Sequence, residues 1–509
     1  MWATVLVGAT ACDELGGGVH IPRLSLEWEA CPFVTLACEF EGAGCPPSTL
    51  LDAQCANVEV PARYAEPGAG TIQLRLKRRL ATAPRRGQLW LLMGGPGGSA
   101  ARFGLATRYA RHADLDLYLL DHRGAGRSTP LRCPAQETES SAGGYRVSPE
   151  EIPACLTDLT TAHGTLDAFN TTDASYDLVA LIQATATPRD EVYLYGVSYG
   201  TYWLHRYAQL SPKRATGLIF DSTCAPGTCQ LETYDLGYNE AGRAILADCA
   251  ADTSCAARLP EPETRLEELY TAVAGGHCAE ITDGNVAAVQ RSLSRLLEVR
   301  ALHATLPALI YRMLRCNTLD VEALRQFAAA VGPLYESTDL LRKLETLDTL
   351  GRHIVYSELW APPDAATRAE IAAALFSVGQ LELFEASYAD WPRYTPEVDV
   401  TQRSTRRGPV LMLHGGRDPQ TPFRMAQSLW EHFTGPQHRR VFFPFASHNV
   451  VASSSSPITD SCGGDLVEQF TRDPTAPLDT ACVNTLEPPD FIGSASLANT
   501  LFGRPDFWN

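Results

Sequence analysis

Six short apolar runs, each stopped by glycine, aspartate or serine, constrain this chain more than any other feature. They are QLWLLMGG (88–95), LDLYLLDHRG (115–124), EVYLYGVS (191–198), TGLIFDS (216–222), GPVLMLHGG (408–416) and RRVFFPFAS (439–447). Runs this short and this apolar read as strands buried on both faces, and the longer stretches between several of them read as helices. Parallel strands joined by helices give an α/β core, a sheet with helices packed on both faces. TIQLRLKRRL (71–80) differs by alternating apolar and polar residues, the pattern of a half-buried strand.

The alternation of strand and helix stops once. From about Cys224 to Thr401 the text is helical, as in ETRLEELYTAVA and NVAAVQRSLSRLLEVRALHATLPALIYRML, with apolar residues recurring at three and four. The chain therefore divides into a leader and linker (1–24), a first core segment (25–223), a helical cap inserted between core strands (224–400) and a second core segment (401–509). Residues 13–70, rich in Gly, Pro and Cys, read as a loop-rich N-terminal region. An insertion at the carboxyl ends of such strands covers the place where α/β proteins bind ligands.

A net charge of −17 repels phosphate and argues against non-specific binding to nucleic acid or anionic membranes. No apolar run reaches the length of a membrane span. The 15 cysteines carry more information. Most fall in local couples, 133/155, 224/229, 249/255, 278/316 and 462/482, with 31/55 and 38/45 completing the set near the N-terminus. None has paired CxxC zinc spacing, so the expectation is disulfides and an oxidising compartment. Cys12 is left over. It closes MWATVLVGATAC, which resembles a bacterial lipoprotein signal without a preceding Lys or Arg. Secretion, a periplasmic location and a lipid anchor on Cys12 are all open readings, and a monomer is expected.

The chemistry centres on YLYGVSYGTY (193–202). Gly-x-Ser-x-Gly is a weak motif alone, but here it joins an apolar strand to a helix-like stretch, the setting of a nucleophile elbow. A serine hydroxyl needs a base. Of the histidines late in the chain, His432 falls in a helix-like segment and His438 precedes a strand, whereas His448 directly follows one, in FFPFASHNV. Asp418, in LMLHGGRDPQTP, follows the preceding strand and is the candidate acid, with nearby His414 read as structural. Serine, acid and histidine in this chain order are those of a Ser-His-Asp triad on an α/β-hydrolase fold. Two backbone N–H groups should hold the oxyanion, one from Tyr199 and one from the loop Gly94–Gly98 after an earlier strand. That loop lacks the lysine and hydroxyl of a phosphate-binding loop, and DHRGAGRS (121–128) lacks a dinucleotide fingerprint, so no cofactor and no metal are expected.

GGPGGS (94–99), DHRGAGRS (121–128), YGVSYGTY (195–202) and GGRDPQTP (415–422), taken together, resemble the motifs of prolyl-aminopeptidase-like serine peptidases, and more closely their tripeptidyl aminopeptidase branch with its TAP-like C-terminal region. The resemblance implies an exported α/β-hydrolase with a helical cap that takes amino acids or short peptides from free peptide N-termini. It assigns Ser198 as nucleophile, Asp418 as acid, His448 as base, and Gly95 and Tyr199 as oxyanion donors. Met93 replaces the usual histidine of the glycine loop, His122 replaces a glutamine, and Ser447 and Asn449 replace glycines beside His448. These departures weaken any inference of proline specificity. A substrate ammonium would need a carboxylate from the cap. Glu232, Asp235 and Glu240 are candidates, against the plainer alternative of a solvated helix face. The same machinery also serves a carboxylesterase, and a binding protein that kept the fold without the chemistry is the rival from another class.

Overall fold

The computed structural model describes residues 19–35, 50–66, 68–104, 111–144, 146–211, 213–335 and 339–509. Cys12, Cys38 and Cys45, with the expectations attached to them, lie outside the described residues. Among the described residues nine strands form one sheet: β1 (Glu29–Cys31), β2 (Ala53–Pro61), β3 (Thr71–Arg79), β4 (Gly87–Leu92), β5 (Leu115–Leu120), β6 (Glu191–Val197), β7 (Gly217–Asp221), β8 (Val410–Gly415) and β9 (His438–Phe443). Their spatial order is β1-β2-β3-β5-β4-β6-β7-β8-β9. From β5 to β9 every neighbouring pair is parallel, while β1, β2 and β3 add an antiparallel edge. The fold is α/β, in the α/β-hydrolase arrangement.

The region 13–70, expected to be loop-rich, therefore contributes two strands. AQCANVEVP in β2 alternates buried and exposed positions, but its small and charged residues weaken the signal in the sequence. β2 is fixed to β1 by the disulfide Cys31–Cys55 and to β3 by continuous antiparallel pairing.

Alternation along the central strands splits the core into two layers. Trp90, Leu92, Leu194 and Leu218 face the helices Thr171–Thr185 and Tyr199–Leu210. Leu89, Leu91, Tyr193 and Ile219 face the helix Cys462–Arg472 on the other side. A third apolar cluster lies outside the sheet, built mainly from the segment between β7 and β8. It holds Ile245, Leu269, Leu297, Ile310 and Phe327 of the helical insertion together with Phe491, Phe502, Phe507 and Trp508 from the C-terminal segment. Arg312, buried in this cluster, donates to the carbonyl of Phe507 at 2.7 Å and to Asp320 at 3.0 Å. The segment 491–508 thus packs with the insertion rather than with the sheet.

The couples 31/55, 133/155, 224/229, 249/255, 278/316 and 462/482 are disulfides. Among the described residues no helix is long and apolar enough to cross a membrane.

Candidate active site

β4 and β6 are adjacent, yet the chain leaves β4 toward β5 on one side and reaches β6 on the other. The crevice beyond the carboxyl ends of such strands is where an open α/β sheet binds ligands. Ser198 follows β6 directly, at φ 58° and ψ −130°. A non-glycine residue held there costs about 1–3 kcal/mol and persists only where its surroundings impose it. The imposition is visible. The Ser198 N–H donates to the Asp221 carbonyl at 3.1 Å, and Thr201 donates its hydroxyl to the Ser198 carbonyl at 2.6 Å. Any Cβ on Gly200 would lie 2.2 Å from the carbonyl oxygen of Leu92, so the helix after the elbow crosses β4 only with glycine at that position.

The glycine loop after β4 lies against the same serine: a Cβ on Gly94 would sit 2.7 Å from the Ser198 Cβ. Its far end is held by Asp121, which follows β5 and accepts from the Ser99 hydroxyl and the Ala100 N–H, both at 2.9 Å. This explains why GGPGGS and DHRGAGRS occur together. The loop carries Gly95 to the mouth of the elbow, where Gly95 and Tyr199 line the same cavity as Ser198. Neither N–H has a backbone acceptor among the described residues. Behind the elbow, the Tyr199 hydroxyl meets Thr171 at 3.0 Å and the Nε2 of His122 at 3.2 Å. Burial lowers the His122 imidazole to about 4, so it stays neutral there.

His448 follows β9 and meets Asp418, which follows β8, with its Nδ1 at 2.9 Å from both carboxylate oxygens. Asp418 also accepts from the N–H groups of Gln420 and Thr421 and from the Thr421 hydroxyl, each at 2.9 Å. Burial opposes charge on His448, but the charge and hydrogen bond of Asp418 outweigh it and hold the imidazole above its ordinary value. Burial likewise opposes the Asp418 charge, and the attraction of His448 brings its carboxyl below the usual range. Fixing Nδ1 in this way leaves Nε2 as the nitrogen available to a substrate. His448 and Ser198 line one cavity of about 560 Å³. The Ser198 hydroxyl has no hydrogen bond among the described residues; such contacts often tighten only around a substrate.

Asp221, at the end of β7, ties the two halves together and was not singled out in the sequence. Its carboxylate accepts from the N–H groups of Val450 (2.7 Å) and Val451 (2.9 Å), just past His448, and from the Tyr195 hydroxyl (2.7 Å). Its carbonyl holds Ser198. Only a long-range contact reveals this, since Asp221 and Val450 are 229 positions apart.

The cap closes the cavity from above with Tyr234, Glu298, Tyr335, Val355, Leu359 and Phe384. Of the three acidic candidates read from the sequence, two are occupied elsewhere and the third lies outside the cavity. The Asp235 carboxylate is saturated by Ser377 and by the N–H groups of Val378, Gly379 and Leu381. Glu240 pairs with Arg424 at 2.5 Å. Glu232 does not line the cavity. The carboxylates that do are Glu298, Glu345 and Asp348. Glu345 pairs with Arg102 and Asp348 lies 3.8 Å from Arg352. Glu298 accepts from the Tyr238 hydroxyl at 2.8 Å and makes no ion pair within 4 Å among the described residues, while Arg295, His448 and Arg146 favour its charge from further away. Burial pushes its carboxyl up, and its own charge helps hold His448 high. Other histidines are elsewhere: His432 bonds the Ser404 carbonyl, His438 accepts from Gly435, and His414 is buried against Phe423 and Phe442. Among the described residues no group of three His, Cys, Asp or Glu side chains could hold a metal ion.

Comparison with known proteins agrees with this architecture. Residues 89–257 match the family model for the alpha/beta hydrolase fold, and residues 379–482 match that for TAP-like proteins. Serine protease Hip1 of Mycobacterium tuberculosis is 27% identical over 280 residues, 50% of this chain and 51% of that protein. The tripeptidyl aminopeptidase of Streptomyces coelicolor is 30% identical over 197 residues, 34% of this chain and 35% of its own length. Carboxylesterase B of Mycobacterium tuberculosis is 33% identical over 153 residues, 28% of each. The chain spans about half the length of the first of these relatives and less of the others. On the two matched segments and the strand order that joins them, the chain belongs to the TAP-like α/β-hydrolase family.

Proposed function

We propose that this protein is an exported serine aminopeptidase that releases residues from free peptide N-termini through an acyl-enzyme. The observation that carries the reading is the Asp418–His448 contact, 2.9 Å at both oxygens, opening on the same cavity as a serine on a strained elbow. Ser198 Oγ attacks the scissile carbonyl while His448 Nε2 takes its proton. Asp418 holds the imidazole tautomer and stabilises the imidazolium. The N–H groups of Gly95 and Tyr199 hold the oxyanion, each donor contributing about 2.7–4 kcal/mol to the transition state. As the C–N bond breaks, His448 returns the proton to the departing amine, and water then resolves the acyl-enzyme by the same route.

The substrate's own charge fits the cap. Glu298 is a half-buried carboxylate with no ion pair within 4 Å among the described residues, acted on by Arg295, His448 and Arg146 only at longer range, and an N-terminal ammonium is a group it could take in direct contact. The ammonium nitrogen of a terminal residue and the nitrogen of its scissile bond are separated by less than one Cα–Cα step of about 3.8 Å. A carboxylate placed beside His448 therefore favours release of one residue at a time. Disulfides in sheet, cap and C-terminal segment support an oxidising location.

The test is a set of chromogenic anilides with one to three residues, free or N-acetylated, with Ser198→Ala as the blank. Cleavage of free but not acetylated substrates supports the reading, and the preferred length reports how far from Ser198 the ammonium is held. Turnover of simple esters with neither anilide set cleaved overturns it in favour of a carboxylesterase. Cleavage by Ser198→Ala at the wild-type rate removes Ser198 from the mechanism.

A further inference from the structure

A second cavity, of about 800 Å³, lies on the far side of His448. It shares Glu298, Val299 and His448 with the first and nothing of the glycine loop or of Ser198. One wall is the cap segment Val299–Ala304, another is the stretch Ala452–Pro457 after His448, and the third is Glu487–Leu497 of the C-terminal segment. Glu487, Pro488 and Asp490 are exposed, so the space opens on the surface.

The boundary between the two cavities is built, not incidental. Val299 is an extended residue, φ −117° and ψ 102°, between two 3-10 turns, and this kink brings the cap down onto His448. Ser447 donates to the Leu297 carbonyl at 2.8 Å. Arg300 donates to the carbonyls of Phe445 (2.9 Å), Ser455 (2.8 Å) and Glu487 (3.2 Å), joining all three walls at the floor.

We propose that this second cavity is the binding groove for the polypeptide on the leaving side of the scissile bond. The inference rests on the aminopeptidase reading above. In that chemistry the departing nitrogen receives its proton from His448, so the chain beyond it starts at the imidazole. With the terminal residue in the first cavity and its ammonium at Glu298, the remaining chain passes Val299 and enters the space that begins at His448. An anilide has nothing to place there; a peptide does.

Ala301 and Ala452 are exposed residues on facing walls, neither lining the first cavity. Ala301→Trp and Ala452→Trp fill the groove from opposite sides. The readout is the ratio of kcat/KM for a free five-residue peptide to that for an anilide of the same N-terminal residue, on one preparation, so loss of folded protein cancels. In the wild type, kcat/KM should rise as residues are added beyond the scissile bond, and in each variant the ratio should fall about tenfold, the loss of roughly one contact of 1.4 kcal/mol. A ratio unchanged in both variants, with the wild type cleaving both substrates, overturns the groove alone. A wild type that hydrolyses esters and no free-N-terminal amide overturns the aminopeptidase reading and the peptide occupant with it.

Discussion

The sheet and the cap both bring a carboxylate to His448, and they hold it in opposite ways. Asp418, on the sheet side, is surrounded by donors: two N–H groups, a hydroxyl and the imidazole. Glu298, on the cap side, is partly buried, with one tyrosine hydroxyl donating to it and Arg295, His448 and Arg146 acting only at longer range. A saturated carboxylate is committed to orienting its neighbour. An unsaturated one keeps the burial cost of its charge until a cation arrives. The cap itself contains the contrasting case, since Asp235 is saturated by backbone N–H groups and only fixes a turn. On the proposed function, what separates the orienting acid from the acid offered to substrate is the number of donors around each, not the residue type.

Asp418→Asn should be the sharpest break. It keeps the shape but turns one acceptor into a donor, and kcat should fall about 10⁴-fold with the fold retained, as for loss of the correct imidazole tautomer; a loss under tenfold would leave the acid unassigned. Asp221→Asn comes next. It disturbs the N–H groups of Val450 and Val451 that place His448, so kcat should drop about 10²-fold while KM stays near its starting value, consistent with misplacement of a catalytic group by about 1 Å. Glu298→Gln tests the other half: KM for free N-termini should rise about tenfold, with N-acetylated ester turnover above the His448 midpoint unchanged, since a hydrogen bond to a charged group contributes about 1.5–3 kcal/mol. The smallest effect is on pH. His448 must be neutral to accept the serine proton, and its folded pKa is raised, so activity is lost as pH falls through that value. On an N-acetylated ester, the acid limb of kcat/KM should have its midpoint above 6.5; a midpoint below it would mean that burial of His448 outweighs the Asp418 attraction.

Much of the sheet side was readable along the chain. Apolar runs marked β4 to β9, and Ser198, Asp418 and His448 each follow a strand's carboxyl end, which is why position in the series separated His448 from His432 and His438. Local cysteine couples also mapped onto disulfides, because short separations favour closure. The unread parts depend on distant partners. Glu298 looks like any other cap glutamate until the kink at Val299 sets it beside a residue 150 positions later in the chain. Asp235 and Glu240 looked equally available in sequence, and only packing shows that amides occupy one and Arg424 the other. The β1–β2 edge was missed because its residues are small and charged, so that period two carries little apolar contrast.

The C-terminal segment has a consequence for biogenesis. Phe507 reaches Arg312 across 195 positions of sequence, and Phe502, Phe507 and Trp508 complete the apolar cluster of the cap. During synthesis the cap helices leave the ribosome long before the side chains that cover them, and exposed apolar surface of this kind invites aggregation. The cap must therefore wait, open, through the making of β8, β9 and the His448 loop. A chain stopped short of Phe507 would carry every residue of the candidate site and still lack Phe507 and Trp508 from the apolar cluster beneath its cap.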